Sequence, residues 1–169
     1  SIAETERGDF QRMNHIIPLD QSLEINLSCP NIERLSNING TPTLPMDDAR
    51  LFTKAKSRKW CIAKLSPLSS PEEIEFVIEG LGFTQLHFSN TLPVNGGGLS
   101  GSTLKPFTVK LIDIVRERWG DRVEIIAGGG VSDFGGVSDY LSAGANHVSL
   151  GSVCFNPFKL RKLLRSLEI

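Results

Sequence analysis

Residues 23–31 read LEINLSCPN, a short apolar run followed directly by a polar hexapeptide. The apolar run favours a β-strand. The hexapeptide combines two carboxamides, a hydroxyl, a thiol and a proline, and a strand that ends in such a set of groups is typical of a functional site. The rest of the chain repeats this arrangement of a strand followed by a polar or glycine-rich loop.

Strands and helices alternate along the chain. Predicted strands cover residues 23–28, 61–65, 84–88, 123–127 and 147–150, and predicted helices cover residues 5–17, 47–59, 70–78, a segment opened by Pro106, residues 134–143 and the final segment. Residues 96–101 are predicted to be a glycine-rich loop. Short connections between such elements predict a parallel sheet with right-handed crossovers. The pattern fits a small open doubly wound sheet or a segment of an eight-stranded (β/α) barrel, and periodicity does not choose between them.

The composition indicates one globular domain over residues 1–169, with 40% hydrophobic and 22% charged side chains. A formal net charge of −1 gives no basic surface for nucleic acid or an anionic membrane, so small molecules or proteins are the expected partners. The three cysteines have no CxxC spacing, which argues against a disulfide framework or a zinc site and favours a reducing compartment. No apolar run approaches the roughly 18 residues of a membrane span. We therefore expect a soluble cytoplasmic protein.

Two glycine-containing loops follow neighbouring predicted strands. Gly129 and Gly130 lie in the triplet after the strand at 123–127, and Gly151 and Ser152 follow the last strand. Glycines let backbone amides approach an anion closely, and adjacent strand ends of this kind resemble the phosphate site of (β/α) barrels. The alternative is that these glycines only form tight turns.

Two further side chains stand out because of their positions. Lys64 lies in an otherwise apolar strand, where it would meet an anion inside a barrel or else reach solvent from an edge strand. Cys29 could act as a base or nucleophile if its pKa is lowered, although an isolated cysteine is more often buried and inert. Cys61 and Cys154 are expected to be of that inert kind. The three histidines lack ligand spacing, so no metal site is expected.

Several motifs together resemble the dihydroorotate dehydrogenase family in order and spacing. They are NLSCPN at residues 26–31, AKLSP at 63–67, SNT at 89–91, GGLSG at 97–101, IIAGGG at 125–130 and AGA at 143–145. The resemblance implies a flavin-dependent (β/α) barrel, of which this chain would supply strands 4–8 with their helices. It therefore implies a single FMN-binding barrel domain that is incomplete at the N-terminus.

The resemblance also implies roles for individual residues. Cys29 takes the position of the base that removes a proton from C5 of dihydroorotate while a hydride passes from C6 to FMN. The groups that hold the pyrimidine would be Asn26, Asn31, Asn90 and Thr91. The groups that hold FMN would be Lys64, Ser89, Ser100, Gly101, Gly129, Gly130, Gly151 and Ser152. A cysteine base is similar to the class 1 enzymes and implies a homodimer, without naming the electron acceptor.

Two other functions fit the same sequence. Dihydropyrimidine dehydrogenases share an NLSCP-type loop and use its cysteine as a proton donor, but they would normally need further iron–sulfur and NADPH modules. A truncated, non-catalytic half-barrel is the third hypothesis, because the first two barrel strands and most of the third are not represented. We expect the chain to be part of a longer polypeptide.

Overall fold

The computed structural model describes residues 1–6, 8–27, 47–54, 57–89, 91–94 and 97–167. Its strands are β1 (Leu23–Asn26), β2 (Cys61–Leu65), β3 (Gln85–Phe88), β4 (Leu92–Val94), β5 (Gly97–Leu99), β6 (Glu124–Ala127) and β7 (His147–Val148). Five of them form one parallel sheet in the order β1-β2-β3-β6-β7, while β4 and β5 form an antiparallel hairpin. All five strands predicted from the sequence are therefore present.

The order of the strands distinguishes the two predicted folds. In a doubly wound sheet the strand order reverses at a switch point, whereas here each strand of the parallel sheet lies beside the next one along the chain. Right-handed crossovers without a reversal place every connecting helix on the same face of the sheet. The fold is a segment of a (β/α) barrel, and the doubly wound alternative is wrong.

The helices lie between the strands as alternation requires. They are α1 (Asp9–Ile16), α2 (Arg50–Thr53), α3 (Pro71–Glu75), α4 (Lys105–Trp119), α5 (Phe134–Ser142) and α6 (Pro157–Leu167). Ser70 begins α3 with a capping box, since its hydroxyl accepts from the Glu73 amide and the Glu73 carboxylate accepts from the Ser70 amide. Within the described residues, none of these helices combines the length and the apolar character that crossing a bilayer requires.

Three predicted elements differ most from the structure. The helix expected over residues 47–59 ends at Thr53, and Arg58 instead turns inward and donates to the backbone carbonyls of Pro18 and Gln21. The expected glycine-rich loop contains β5, because the segment pairs with β4. The last strand is shorter than predicted, although the Ser149 amide still donates to the Ala127 carbonyl at 2.7 Å.

The two faces of the sheet differ in polarity. Ile25, Ala63, Leu86 and Ile125 are fully buried on the face that carries the helices. Successive side chains of a strand point to opposite faces, so the intervening positions form the other face, which a closed barrel would enclose. We call this the inner face; among the described residues it carries Glu24, Asn26, Ile62, Lys64, Gln85, His87, Glu124, Ile126 and His147. The inner face is therefore rich in charged and polar groups.

Ile2 adds one residue of pairing beside β1. It forms an isolated parallel bridge with Ile25. The Ile2 amide donates to the Glu24 backbone carbonyl, and the Ile2 carbonyl accepts from the Asn26 amide. This single bridge extends the parallel pairing beyond β1.

Candidate active site

Most of the predicted site residues lie at the carboxyl end of the parallel sheet. Asn26 ends β1 and is in register with Lys64 of β2. Ser89 directly follows β3, and Gly129 follows β6. Because the strands are parallel, their carboxyl ends meet at one edge, which is where (β/α) barrels bind their ligands. Cys29, Asn31 and Asn90 lie outside the described residues, so their predicted roles remain predictions.

The glycine loop after β6 is fixed from behind by two hydroxyl groups. Tyr140 of α5 is fully buried and its hydroxyl donates to the carbonyls of Gly128 and Gly129, at 3.1 and 2.6 Å. Thr108 of α4 also donates to the Gly128 carbonyl, at 3.1 Å. Burial raises the pKa of Tyr140, so its hydroxyl keeps its proton and remains a donor at neutral pH.

These contacts decide where the neighbouring amides point. The carbonyl and the N–H of one trans peptide lie in the same plane and point in opposite directions. Since the carbonyls of Gly128 and Gly129 point at Thr108 and Tyr140, the N–H groups of Gly129 and Gly130 point away from them. Neither of these N–H groups has a hydrogen-bond acceptor among the described residues. The loop thus presents two adjacent donors, which suits a phosphate group.

Ser89 is linked to the same loop through Thr108. The hydroxyls of Ser89 and Thr108 are 3.0 Å apart. Because the Thr108 hydrogen is used on the Gly128 carbonyl, Ser89 is the donor in this pair. The end of β3 and the loop after β6 are therefore joined by a short chain of hydrogen bonds.

The segment after the hairpin packs directly onto the glycine loop. A Cβ atom at Gly130 would lie 2.5 Å from the Ser102 Cα and 2.8 Å from the Gly101 carbonyl oxygen. Gly130 also has a φ of +72°, which side-chain-bearing residues rarely adopt. The structure therefore brings Gly101 and Gly130 together, as the predicted shared role requires. Ser100 is exposed beside them, while Gly151 and Ser152 are exposed after β7.

The hairpin also holds Thr91 in close contact. Gly98 is opposite Pro93 in the hairpin, and a Cβ atom at Gly98 would lie only 2.1 Å from the Thr91 Oγ1. Thr91 is half-buried and has polar interactions of its own. The absence of a side chain at position 98 is what leaves room for the Thr91 hydroxyl.

Lys64 belongs to a connected set of polar groups on the inner face. Its Nζ is 3.7 Å from the Glu24 Oε1, and the Glu24 Oε2 is 2.6 Å from the His87 Nδ1. The His87 Nε2 is in turn 2.8 Å from the Ser149 hydroxyl. Lys64 lies on β2, which has a neighbour on each side, so the edge-strand interpretation of this lysine is wrong.

The charge of Glu24 is set by this environment. The hydrogen bond from His87 lowers the pKa of Glu24 from 4.5 to about 2; burial opposes this shift, and the Lys64 cation adds to it. Glu24 is therefore a carboxylate at any ordinary pH. A carboxylate only accepts hydrogen bonds, so His87 must carry a hydrogen on Nδ1.

Sequence reasoning missed Glu24, His87, Thr108 and Tyr140. The alternation of a strand could have placed Glu24 on the same face as Asn26, two residues later. No sequence signal identifies the contacts of Tyr140, because they depend on how α5 packs against the loop. Cys154 was expected to be buried but is exposed, whereas Cys61 is half-buried and burial raises its pKa.

Comparison with known proteins agrees with the fold described above. The profile of the family described as "Dihydroorotate dehydrogenase" matches residues 1–168. A "Dihydroorotate dehydrogenase B (NAD(+)), catalytic subunit" of Exiguobacterium sibiricum is 32% identical over 178 residues, covering 96% of this chain and 57% of the relative. The protein of the same name from Listeria monocytogenes is 34% identical over 166 residues, covering 87% and 53%. The chain thus spans about half the length of these relatives.

Solved structures show the same fold. The ligand-free DHODH of Eimeria tenella superposes with a TM-score of 0.64 at 22% identity, covering 86% of this chain and 50% of that protein. The structure of the Eimeria tenella enzyme with ferulenol gives a TM-score of 0.67 at 23% identity, covering 86% and 49%. These similarities confirm the barrel segment.

Proposed function

Since the chain belongs to the dihydroorotate dehydrogenase family, we propose that the protein containing it oxidises dihydroorotate to orotate in pyrimidine biosynthesis, with FMN as cofactor. The observation that carries this proposal is the pair of outward-pointing amides at Gly129 and Gly130, held at the same edge of the sheet as Lys64. A flavin mononucleotide requires hydrogen-bond donors for its phosphate and a cation for its ring, and both kinds of group lie at the carboxyl end of this sheet.

The residues at this edge divide into phosphate and ring contacts. Gly129, Gly130, Gly151 and Ser152 would hold the phosphate with backbone amides and a hydroxyl. Lys64, Ser89, Ser100 and Gly101 would hold the flavin ring and its chain. When bound, FMN supplies an acceptor for the hydride from C6 of the substrate, and Lys64 would stabilise the negative charge of the reduced ring.

The substrate would be bound and deprotonated by the other predicted residues. Asn26, Asn31, Asn90 and Thr91 provide donors and acceptors that suit the pyrimidine ring and its carboxylate. Cys29 would take the proton from C5, leaving the C5–C6 double bond of orotate. We further propose a cytoplasmic homodimer, which light scattering of the purified protein would test.

The test uses the purified full-length protein. It should bind FMN, and dihydroorotate should bleach the flavin absorbance under anaerobic conditions. Cys29→Ala should bind FMN but leave it oxidised, while Cys29→Ser should retain some reduction with a requirement for higher pH, because serine is the weaker acid. The matched control is Cys154→Ala, since Cys154 is exposed and its thiol donates to the Leu150 carbonyl.

Three results would contradict the proposal or one of its parts. Protein that retains no flavin absorbance after incubation with FMN and removal of the free FMN would exclude any flavin reaction. Reduction by dihydropyrimidines but not by dihydroorotate would replace this function with that of a dihydropyrimidine dehydrogenase. Unchanged reduction in Cys29→Ala would remove Cys29 from the role of base.

A further inference from the structure

The inner face carries a carboxylate that the proposed function does not use. Glu24 lies on β1 two residues before Asn26, and its side chain contacts Lys64 of β2 and His87 of β3. It is only 21% exposed. A half-buried carboxylate needs partners to offset its lost hydration, and Glu24 has them in Lys64 and His87.

Apart from a side-chain hydrogen bond with Ser1, the contacts of Glu24 are one support, His87, and one target, Lys64. His87 is the support, because its short hydrogen bond of 2.6 Å fixes one carboxylate oxygen and Ser149 fixes the far side of the imidazole ring at 2.8 Å. Lys64 is the target, because its amino group is 3.7 Å from the other oxygen, which is an ion pair without a close hydrogen bond. The supported carboxylate therefore faces an amino group that is still able to donate to a ligand.

We propose that Glu24, held by His87 and Ser149, is a positioning residue that orients Lys64 and sets the net charge it presents to a bound flavin. An anionic neighbour at this distance offsets part of the lysine charge. The reduced flavin ring carries negative charge, so it should be stabilised less by a paired lysine than by an unpaired one. Glu24 thereby holds the flavin reduction potential below the value that Lys64 alone would produce.

The inner face also provides a control for the Glu24–His87 pair. Glu124 and His147 form a second carboxylate–imidazole pair on the inner face, with 2.7 Å between the Glu124 Oε1 and the His147 Nε2. The ion-pair partner of Glu124 is this histidine and no described lysine. Glu124→Gln is therefore a matched control for Glu24→Gln, since both variants remove one charge and nearly preserve side-chain shape.

The first experiment needs no flavin. The purified full-length protein, freed of flavin, is treated with an acetylating reagent, and the rate at Lys64 is followed by mass spectrometry. Releasing the amino group from its ion pair should raise this rate about twofold to fivefold in Glu24→Gln. The rate should be unchanged in Glu124→Gln and restored in Glu24→Asp. Equal rates in all four proteins would overturn the proposal.

The second experiment tests directly whether His87 donates its Nδ1 hydrogen to Glu24. Nitrogen NMR of the same flavin-free protein should show His87 with its hydrogen on Nδ1 and His147 with its hydrogen on Nε2, because each carboxylate accepts from a different ring nitrogen. Glu24→Gln should alter only the His87 signals. A His87 that carries its hydrogen on Nε2 at neutral pH, or that ignores Glu24→Gln, would overturn the assigned support.

The third experiment measures the flavin and rests on the proposed function. With FMN bound, Glu24→Gln should shift the two-electron potential to a more positive value, favouring the reduced flavin by about tenfold, or about 30 mV. Glu124→Gln should leave it unchanged. An unmoved potential in Glu24→Gln would overturn the charge-setting role. If the wild-type protein binds no FMN, the proposed function fails, and the labelling and NMR measurements still decide whether Glu24 positions Lys64.

Discussion

The hydroxyl of Tyr140 donates a hydrogen bond of 2.6 Å to the carbonyl oxygen of Gly129. Through this contact a fully buried residue of α5 orients a loop at the carboxyl end of the sheet. The loop amides that would meet a phosphate are thus fixed before any ligand binds, which lowers the cost of ordering them on binding.

Removal of the Tyr140 hydroxyl should weaken both stability and cofactor binding. Tyr140→Phe leaves the carbonyls of Gly128 and Gly129 with fewer partners and is expected to lower the free energy of unfolding by about 1–2 kcal/mol. FMN affinity, measured by fluorescence quenching, should fall about tenfold, equal to about 1.4 kcal/mol. Thr108→Val should act in the same direction, and exposed Thr84→Val is the control. A stability loss with unchanged FMN affinity would show that the loop does not contact the cofactor.

Substitution of Gly130 should be more harmful than substitution of Gly120 or Gly151. Gly130→Ala adds a Cβ 2.5 Å from the Ser102 Cα at a φ of +72°, so we expect a loss of about 2–4 kcal/mol in urea denaturation. Gly120→Ala has a positive φ but open space and should cost about 1 kcal/mol. Gly151→Ala has neither restriction and should be nearly neutral. Equal effects at all three positions would contradict the packing of Gly130 against the hairpin segment.

The stability of the protein should depend on the ionisation of Glu24. Its pKa is lowered from 4.5 to about 2 by the His87 hydrogen bond and the Lys64 charge. The unfolded state therefore binds this proton more tightly than the folded state, so the stabilisation is complete above pH 4.5 and is lost as the pH falls toward 2.

Urea denaturation of wild-type and Glu24→Gln protein between pH 5 and pH 3 measures this effect. The difference in unfolding free energy between the two proteins should shrink steadily as the pH falls. Glu117→Gln, at an exposed position of α4, provides the control for general acid effects. A difference that stays constant over this range would mean that the Glu24 pKa is not lowered.

Arg116 should be hard to replace, even by lysine. Its guanidinium donates to the carbonyls of Gly120, Val123 and Gly144 and to the Asn146 side chain, at 2.6 to 2.8 Å. Lysine cannot match this planar set of donors, so Arg116→Lys should cost about 2–3 kcal/mol in thermal or urea unfolding. Exposed Arg118→Lys should cost less than about 0.5 kcal/mol. Similar costs for both variants would show that the Arg116 contacts contribute little.

The sheet could be predicted from the sequence because each strand is a short β-favouring run that stops at a polar or glycine-rich loop. The same property placed Lys64 and Gly130 at one edge, since parallel strands align their carboxyl ends. The hairpin could not be predicted, because Gly97 and Gly98 disfavour a strand and are held in one only by pairing with β4.

The contact between Glu24 and His87 could not be predicted for a different reason. The two residues are 63 positions apart, and their meeting depends on the register of three strands. Local patterns show which face each residue occupies but not which partner it finds across the sheet. The network around Lys64 therefore becomes visible only when the strands are assembled.

The contact between Gly98 and Thr91 has an evolutionary consequence. Because any side chain at position 98 would occupy the space of the Thr91 hydroxyl, the two positions cannot mutate independently. In a selection for function from a library randomised at both sites, we expect larger residues at 98 only where 91 has become glycine or alanine. Thr91 would then be retained by epistasis with a hairpin glycine as well as by its own chemistry.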